Sequence, residues 1–407
     1  MELTALYKRV IGLDVHQAQI TACALIEDED GTVRIVQRQF GAFKRDRWLL
    51  AEWAAGLCPD EVVMESTGIY WKSPYAALEA VGIRAKVVNA RHVKNVPGRK
   101  TDVGDAHWLA TLARAGLLRN SFVPPAKWRE LRLIARQRQK LTGQLASEKN
   151  RLHKVLTDSG IRLGVVVSDL HGQSARAMVK AIIAGQPPHE VLRLASRRLK
   201  ASREEIFDAL QGELTESHYF VLDELMQHIE EIEARIARFD TKLLDELKDE
   251  RNTLALLQTL PGVDLIGAAM LLVEIGTDMD TFGTANQLSS WVGICPGNHE
   301  SAGKRKSGRA RKGNPYVRRL LCEFAHAASR TRSVFKSKFQ SLVVRRGYKR
   351  AIVAIGHKIL RTLFFMLKRH EHYRDSTTDY EALSVQRNAP RWIKALTKFG
   401  FIKQART

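Results

Sequence analysis

The chain has 407 residues, 44% of them hydrophobic, and carries 65 Lys and Arg against 44 Asp and Glu, a net charge of +21 with a pI near 10.0. That length allows two or three domains, each with its own core, and the basic excess fits a polyanionic partner, above all nucleic acid, or a basic but inert surface. The four cysteines (Cys23, Cys58, Cys295, Cys322) are far apart, without a CxxC pair or a His at ligand spacing. This excludes a zinc ribbon and a disulfide framework and fits a reducing cytoplasm. The opening MELTALYKRV lacks the apolar core of a signal peptide, and no run reaches the roughly 18 apolar residues that a membrane span needs. The charge is also local: residues 300–374 hold 21 Lys and Arg against Glu300, Glu323 and Glu371, a local excess of 18.

Residues 7–125 read as an α/β domain. Arg9–His16 (RVIGLDVH) is a short apolar strand that delivers Asp14 to its exit, where a carboxylate needs a metal, a base or a backbone donor. Ala18–Ile26 and Thr32–Phe40 follow as strands, Arg45–Leu57 as a helix, Glu61–Glu65 as a strand ending in an acid, Ser73–Val81 as a helix and Arg84–Val88 as a strand. A last helix opens near Thr101, which can N-cap it and set Asp102 and Asp105 on one face of the first turn. The order βββαβαβα predicts a mixed sheet, three meandering strands followed by helical crossovers. Acids in a first helical turn also favour the helix dipole by about 0.3–1 kcal/mol, so that pair alone has a plain structural use. Four carboxylates on two strand ends and a helix start suit two divalent ions, because Mg²⁺ takes oxygen ligands and two such ions can hold both oxygens of a phosphoryl transfer. The order Asp, Glu, Asp, Asp resembles the RuvC/RNase H class of nucleases. The preceding KNVPGRK, Lys94–Lys100, is either a basic loop beside the substrate backbone or a solvated charged loop.

Pro124 and Pro125 mark a boundary, and residues 126–250 are helical. Leu131, Arg138, Leu145 and Leu152, with Ile134, Leu141, Glu148 and Val155, form one seven-residue seam. A second runs through Leu222, Ile229, Ile236 and Leu243, with Leu225, Ile232, Phe239 and Glu246. The two helices can pair as an antiparallel coiled-coil hairpin or serve as an oligomerisation arm. Residues 160–215 between them read as a small helical lobe with the basic stretch Ser196–Arg203.

Residues 251–374 form a basic, mostly helical domain. Leu256–Gly276 has the form helix, PGV turn, helix, similar to the helix-hairpin-helix of nucleic-acid backbones; Asp264 stands where a second glycine is expected, and both a structural hairpin and a phosphate cradle fit. Next comes a glycine-containing loop in which six of the nine residues from Lys304 to Lys312 are basic (Lys304, Arg305, Lys306, Arg309, Arg311, Lys312). Ser301 and Ser307 lie in this field. A hydroxyl beside a metal-bound phosphate can attack phosphorus and conserve the phosphodiester energy as a phosphoserine, although a serine in such a loop is ordinarily a loop residue. The helix from Pro315 to Arg330 adds Arg318 and Arg319. Lys349–Arg369 reads as a core helix, His370–His372 as exposed, and 375–407 as a C-terminal extension.

Taken together, GLDVH, MESTGIYW, KTDVGDA, the LPGV hairpin, the P-x₄-S-x-G loop and KGNPYVRRLL resemble the DEDD-type insertion-sequence transposases, the insertion sequence 110/1111 family, over nearly the whole chain. The tail DYEALSVQRNAPRWIKALTKFG resembles the extension of the second subgroup. The resemblance implies a RuvC-like domain, a helical coiled-coil region and a serine-bearing domain. It implies Asp14, Glu65, Asp102 and Asp105 as Mg²⁺ ligands and Ser301, five residues after Pro296, as nucleophile. Glu300 and Ala302 stand where the family has its first serine and its following glycine, and Ser307 is the alternative nucleophile. It also implies DNA, a structured non-coding RNA and a homo-oligomer, dimer or tetramer, as partners.

The expected function is therefore that of a DNA transposase acting at the nucleoid, with a composite site made from the first and third domains and no membrane partner. Two alternatives stay open: a metal-dependent nuclease or junction resolvase that uses water, and a nucleic-acid-binding protein whose acids are silent.

Overall fold

The computed structural model describes residues 5–65, 68–89, 93, 104–295, 299–301, 304–307, 310, 312–376 and 378–402, with the backbone alone at 299–301 and 304–307. The chain divides into two compact units, Met1–Pro124 and Pro125–Thr407, so the division falls between the two prolines. The ranges 126–250, 251–374 and 375–407, distinct in the sequence reading, lie together in the second unit.

The first unit is built on a five-stranded sheet of β1 (Arg9–Val15), β2 (Gln19–Glu27), β3 (Val33–Gly41), β4 (Glu61–Glu65) and β5 (Lys86–Val88), in the order β3-β2-β1-β4-β5. β2 pairs antiparallel with β1 and β3, whereas β4 is parallel to β1 and β5 to β4. This is the mixed sheet the sequence predicted. β1 reads as a nearly unbroken apolar run because it is covered on both faces. Ile11, Leu13 and Val15 pack with Val62 and Met64 under α1 (Lys44–Gly56) and α2 (Lys72–Ala80). Val10, Val63 and Val88 pack on the other face under α3 (Asp105–Arg114). The third helix departs from expectation at its start. Its first residue is Asp105 and its N-cap is Gly104, so the helix opens later than the sequence suggested. Thr101, Asp102 and the basic stretch Lys94–Lys100 lie outside the described residues.

In the second unit, α4 (Ala126–Asp158) and α9 (Glu216–Glu246) lie side by side. Their ion pairs run in opposite sense along the chain: Arg138 with Asp240 (2.7 Å), Lys149 with Glu233 (2.9 Å), Asp158 with His218 (3.4 Å). The pair is therefore antiparallel. The two polar residues in the α4 seam find partners, since Arg138 meets Asp240 and Glu148 accepts from Arg151 at 2.7 Å. Between the two helices, α5 (Leu163–Val166), α6 (Gln173–Ile183), α7 (Pro188–Val191) and α8 (Arg203–Ala209) close over their ends. Leu152, Leu156, Met178, Ile182, Leu222 and Ile229 share one core, so the lobe has no interior of its own.

The remaining helices are α10 (Arg251–Gln258), α11 (Leu265–Ile275), α12 (Ala285–Val292), α13 (Pro315–Ala328), α14 (Val334–Arg346), α15 (Tyr348–Arg369) and α16 (Tyr380–Lys398). α11 is buried from Gly267 to Ile275, as its all-round apolar sequence requires. α15 is a core helix through Ile352, Ile355, Ile359 and Leu363, and His370–His372 are exposed. The α10–α11 turn is a packing element: Gly262, at φ +89°, stands so close to α13 that a Cβ would lie 2.6 Å from the Phe324 carbonyl oxygen. The Asp264 carboxylate accepts the Gly267 N–H at 2.8 Å, satisfying a donor that a phosphate cradle would offer. The region of Ser301 is not simply a loop. β6 (His299–Ser301) and β7 (Lys304–Ser307) form an antiparallel ribbon with an irregularity at His299/Glu300.

Candidate active site

In the first unit, parallel pairing of β1 with β4 sets the positions of two acids. The register runs from Val10 opposite Glu61 to Leu13 opposite Met64, and one step further brings Asp14 level with Glu65. The strands are about 4.8 Å apart, and alternation puts both residues on the face of Val10 and Val63, the face covered by α3. Helix α3 runs antiparallel to β1: the Arg114 carbonyl at its C-terminus accepts the Leu6 N–H at 2.7 Å, which leaves Asp105 at the Asp14 end of the strand. The crossing is tight. A Cβ on Gly12 would lie 2.2 Å from the Ala106 carbonyl oxygen and 2.6 Å from the Ala110 nitrogen, so a glycine is required there. Asp14, Glu65 and Asp105 are thus carried to one corner of one sheet face by β1, β4 and the start of α3.

Asp14 is half-buried, and His16 Nε2 lies 3.1 Å from its Oδ2. The donors at this corner are carboxylate oxygens, the hard ligands that Mg²⁺ takes. Among the described residues no three His, Cys, Asp or Glu side chains come close enough to hold an ion, and Asp102, the fourth acid, lies outside them. The corner matches a divalent cation in donor type alone.

In the second unit, the ribbon carrying Ser301 stands on a fixed base. α12 ends at Gly293 in the left-handed conformation, at φ 74°. The chain returns at Gly313, where a Cβ would lie 2.3 Å from the Val292 carbonyl oxygen. Both ends of the excursion therefore touch. Asn314 then N-caps α13, its Oδ1 accepting the N–H of Tyr316 (3.0 Å) and Val317 (3.2 Å), with Pro315 at the position where a missing N–H costs nothing. The Asn314 amide donates to Glu274 Oε2 at 2.7 Å.

Glu274, on α11 and only 2% exposed, also accepts both ends of the Arg136 guanidinium at 2.7 and 2.9 Å, and Arg132 approaches it at 3.4 Å. Burial alone would raise its carboxyl, but the Arg136 hydrogen bond and the two guanidinium charges outweigh that and hold it below the ordinary carboxylate range. Burial pulls the Arg132 guanidinium down to about 10, against the opposing pull of Glu274. Arg136 also stacks on the Tyr316 ring at 4.5 Å.

The ribbon pairs Ser301 with Lys304, Glu300 with Arg305, and His299 with Ser307. Ser301 thus closes the tip of the ribbon and Ser307 lies at its base. Lys304, Arg305 and Lys306 lie on β7, Lys312 is exposed just before Gly313, and Arg309 and Arg311 lie outside the described residues. On α13, Arg319 is exposed and pairs with Glu323 at 3.0 Å, while Arg318 is half-buried.

Two family models match the sequence of these two regions. One, described as "Transposase" and of the DEDD IS110 type, matches residues 11–160; the other, "Transposase IS116/IS110/IS902 family", matches residues 254–340. The chain belongs to the IS110 family of transposases. Curated relatives agree along most of its length. The transposase is 24% identical over 374 residues to "Transposase for insertion sequence element IS1111A" of Coxiella burnetii, covering 90% of this chain and 91% of that one. It is 26% identical over 327 residues to "Probable family 20 transposase" of Pseudomonas aeruginosa, covering 78% and 87%. Among solved structures, Thermus thermophilus RuvC aligns with a TM-score of 0.22 at 13% identity, over 28% of this chain and 99% of that one. No described helix of the transposase is long and apolar enough to cross a membrane.

Reading the sequence residue by residue did not single out Gly12, Glu274 or Asn314. Each left a signal: a glycine inside an apolar strand, an acid in an otherwise apolar helix, and an Asn-Pro pair at a helix start.

Proposed function

We propose that this transposase excises and inserts a mobile DNA element by strand transfer through a phosphoserine, with Ser301 as the nucleophile and Asp14, Glu65, Asp102 and Asp105 as ligands of Mg²⁺. The observation that carries the reading is the gathering of Asp14, Glu65 and Asp105 at one corner of one sheet face, with a serine in the most basic part of the same chain. When bound there, Mg²⁺ neutralises charge on the phosphate oxygens and favours loss of the hydroxyl proton.

Ser301 Oγ gives up its proton and bonds to phosphorus, the bond from phosphorus to one deoxyribose oxygen breaks, and that oxygen leaves as a hydroxyl. A hydroxyl of the joining strand then attacks phosphorus and releases the serine, so one phosphodiester is exchanged for another without an external energy source. Lys304, Arg305, Lys306, Arg309, Arg311 and Lys312, with Arg318 and Arg319, hold the strand backbone. The resemblance of the motifs supports two further parts of the reading: a structured non-coding RNA that selects the DNA, and an assembly of several copies, dimer or tetramer.

Trapping the reaction in denaturant tests the nucleophile. Ser301→Ala should abolish covalent protein–DNA adducts while DNA binding persists, and Ser307→Ala should leave the adducts in place. Adducts that survive Ser301→Ala remove Ser301 from the role, and free DNA ends without any adduct favour a water-using nuclease.

A further inference from the structure

The C-terminal helix α16 buries none of its residues, yet it is firmly anchored at its start. Ser337 Oγ on α14 donates to Asp379 Oδ1 and accepts the Glu381 N–H, both at 3.1 Å. The Tyr380 ring is flanked by Lys338 Nζ at 4.1 Å and Lys358 Nζ at 4.4 Å. Beyond that anchor, α14 and α16 enclose an open groove of about 610 Å³.

Its walls carry Lys338, Arg345, Arg387 and Arg391 against a single acid, Glu381. Arg345, Arg387 and Arg391 are exposed, and none forms an ion pair among the described residues. Arg387 and Arg391 are also one helical turn apart, a like-charge spacing that costs the helix stability unless an anion lies between them. Beside them Trp392, 45% exposed, lines the same groove.

We propose that this groove binds a single strand of DNA, its phosphates along Arg345, Arg387 and Arg391 and a base stacked on Trp392. Several cations beside an exposed aromatic side chain suit an unpaired strand, since every base offers a π-face for stacking. In a duplex those faces are already stacked on one another. A protein partner would have to supply a carboxylate for each guanidinium it buried. The choice of DNA rests on the transposase reading.

The full chain is irradiated with a 12-nucleotide oligodeoxythymidine carrying one 5-iodouracil, and the adducts are located by peptide mass spectrometry. The expected adduct lies on the peptide containing Trp392. Trp392→Leu should remove it and weaken binding about tenfold, the scale of a single base–aromatic stack. Arg387→Gln with Arg391→Gln, both at exposed positions, should weaken binding without removing Trp392, which guards against a variant that fails to fold. Adducts confined to other peptides, an RNA or duplex of the same sequence that outcompetes the oligomer, or a Trp392-dependent self-association without adducts would each overturn the proposal. Groove adducts that persist while Ser301 adducts are absent would refute the nucleophile and leave the groove standing, and the converse result would refute the groove alone.

Discussion

An alanine at Gly12 would drive its methyl group to 2.2 Å from the Ala106 carbonyl oxygen, so β1 or α3 would have to shift. We expect Gly12→Ala to cost about 1–3 kcal/mol, the usual range for overpacking, read as a lowered midpoint in thermal melts. A variant as stable as the parent would mean that α3 does not cross β1 there. Glu274 makes a second case at this scale. Removing the buried Glu274 leaves the half-buried Arg132 and Arg136 without their counter-charge, so Glu274→Ala should cost about 3 kcal/mol in urea unfolding, the low end for breaking a buried pair. Because the Glu274 carboxyl titrates lower in the folded chain than in the unfolded one, its contribution is complete above the unfolded value of about 4.3. That contribution is lost as pH falls through the lowered folded value, so the parent should lose more stability than Glu274→Ala over the same acid range. Equal losses would contradict the assigned direction.

Helices α4 and α9 show how charge can fix the register of a pair whose apolar seam is imperfect. Arg138 holds Asp240 through two hydrogen bonds, at 2.7 and 3.2 Å. Arg138→Asp and Asp240→Arg should each destabilise the chain, and the double exchange should recover part of the loss, with a coupling of about 0.5–3 kcal/mol in a double-mutant cycle. No coupling would place the two residues apart and break the antiparallel register. The same scale explains the reach of the sequence reading. Strand and helix order in the first unit followed from apolar runs and turn residues, and β1, β4 and α1 lie within two residues of expectation. The start of α3 was misjudged because Thr101 is a good capping residue type, whereas Gly104 takes the cap position without a side chain. The ribbon β6–β7 was not legible, since glycine and lysine carry little strand propensity and the pairing depends on where the two ends are held.

For the molecule as a whole, the concentration of charge between residues 300 and 374 should dominate DNA affinity. The logarithm of the binding constant should fall linearly with the logarithm of salt, by about 0.9 per neutralised phosphate. Replacing Lys304, Arg305 and Lys306 by Gln should flatten that slope by roughly 0.9 for each phosphate no longer neutralised. An unchanged slope in a salt titration would exclude β7 from the strand-binding surface.

By itself, the sequence determined the sheet class, the two long helices, the basic tract and the order of the acids, because each is a local pattern of period, charge or spacing. The family could be read for the same reason, from six short motifs in order. Only the tertiary structure decided that Asp14, Glu65 and Asp105 share a corner, since that requires the register of β1 on β4 and the direction of α3 over Gly12. Only it decided that Glu274 ties α4, α11 and the start of α13 together, since those partners are about 140 and 40 positions away along the chain. Packing brings distant residues within hydrogen-bond range, and no local pattern encodes which ones will meet.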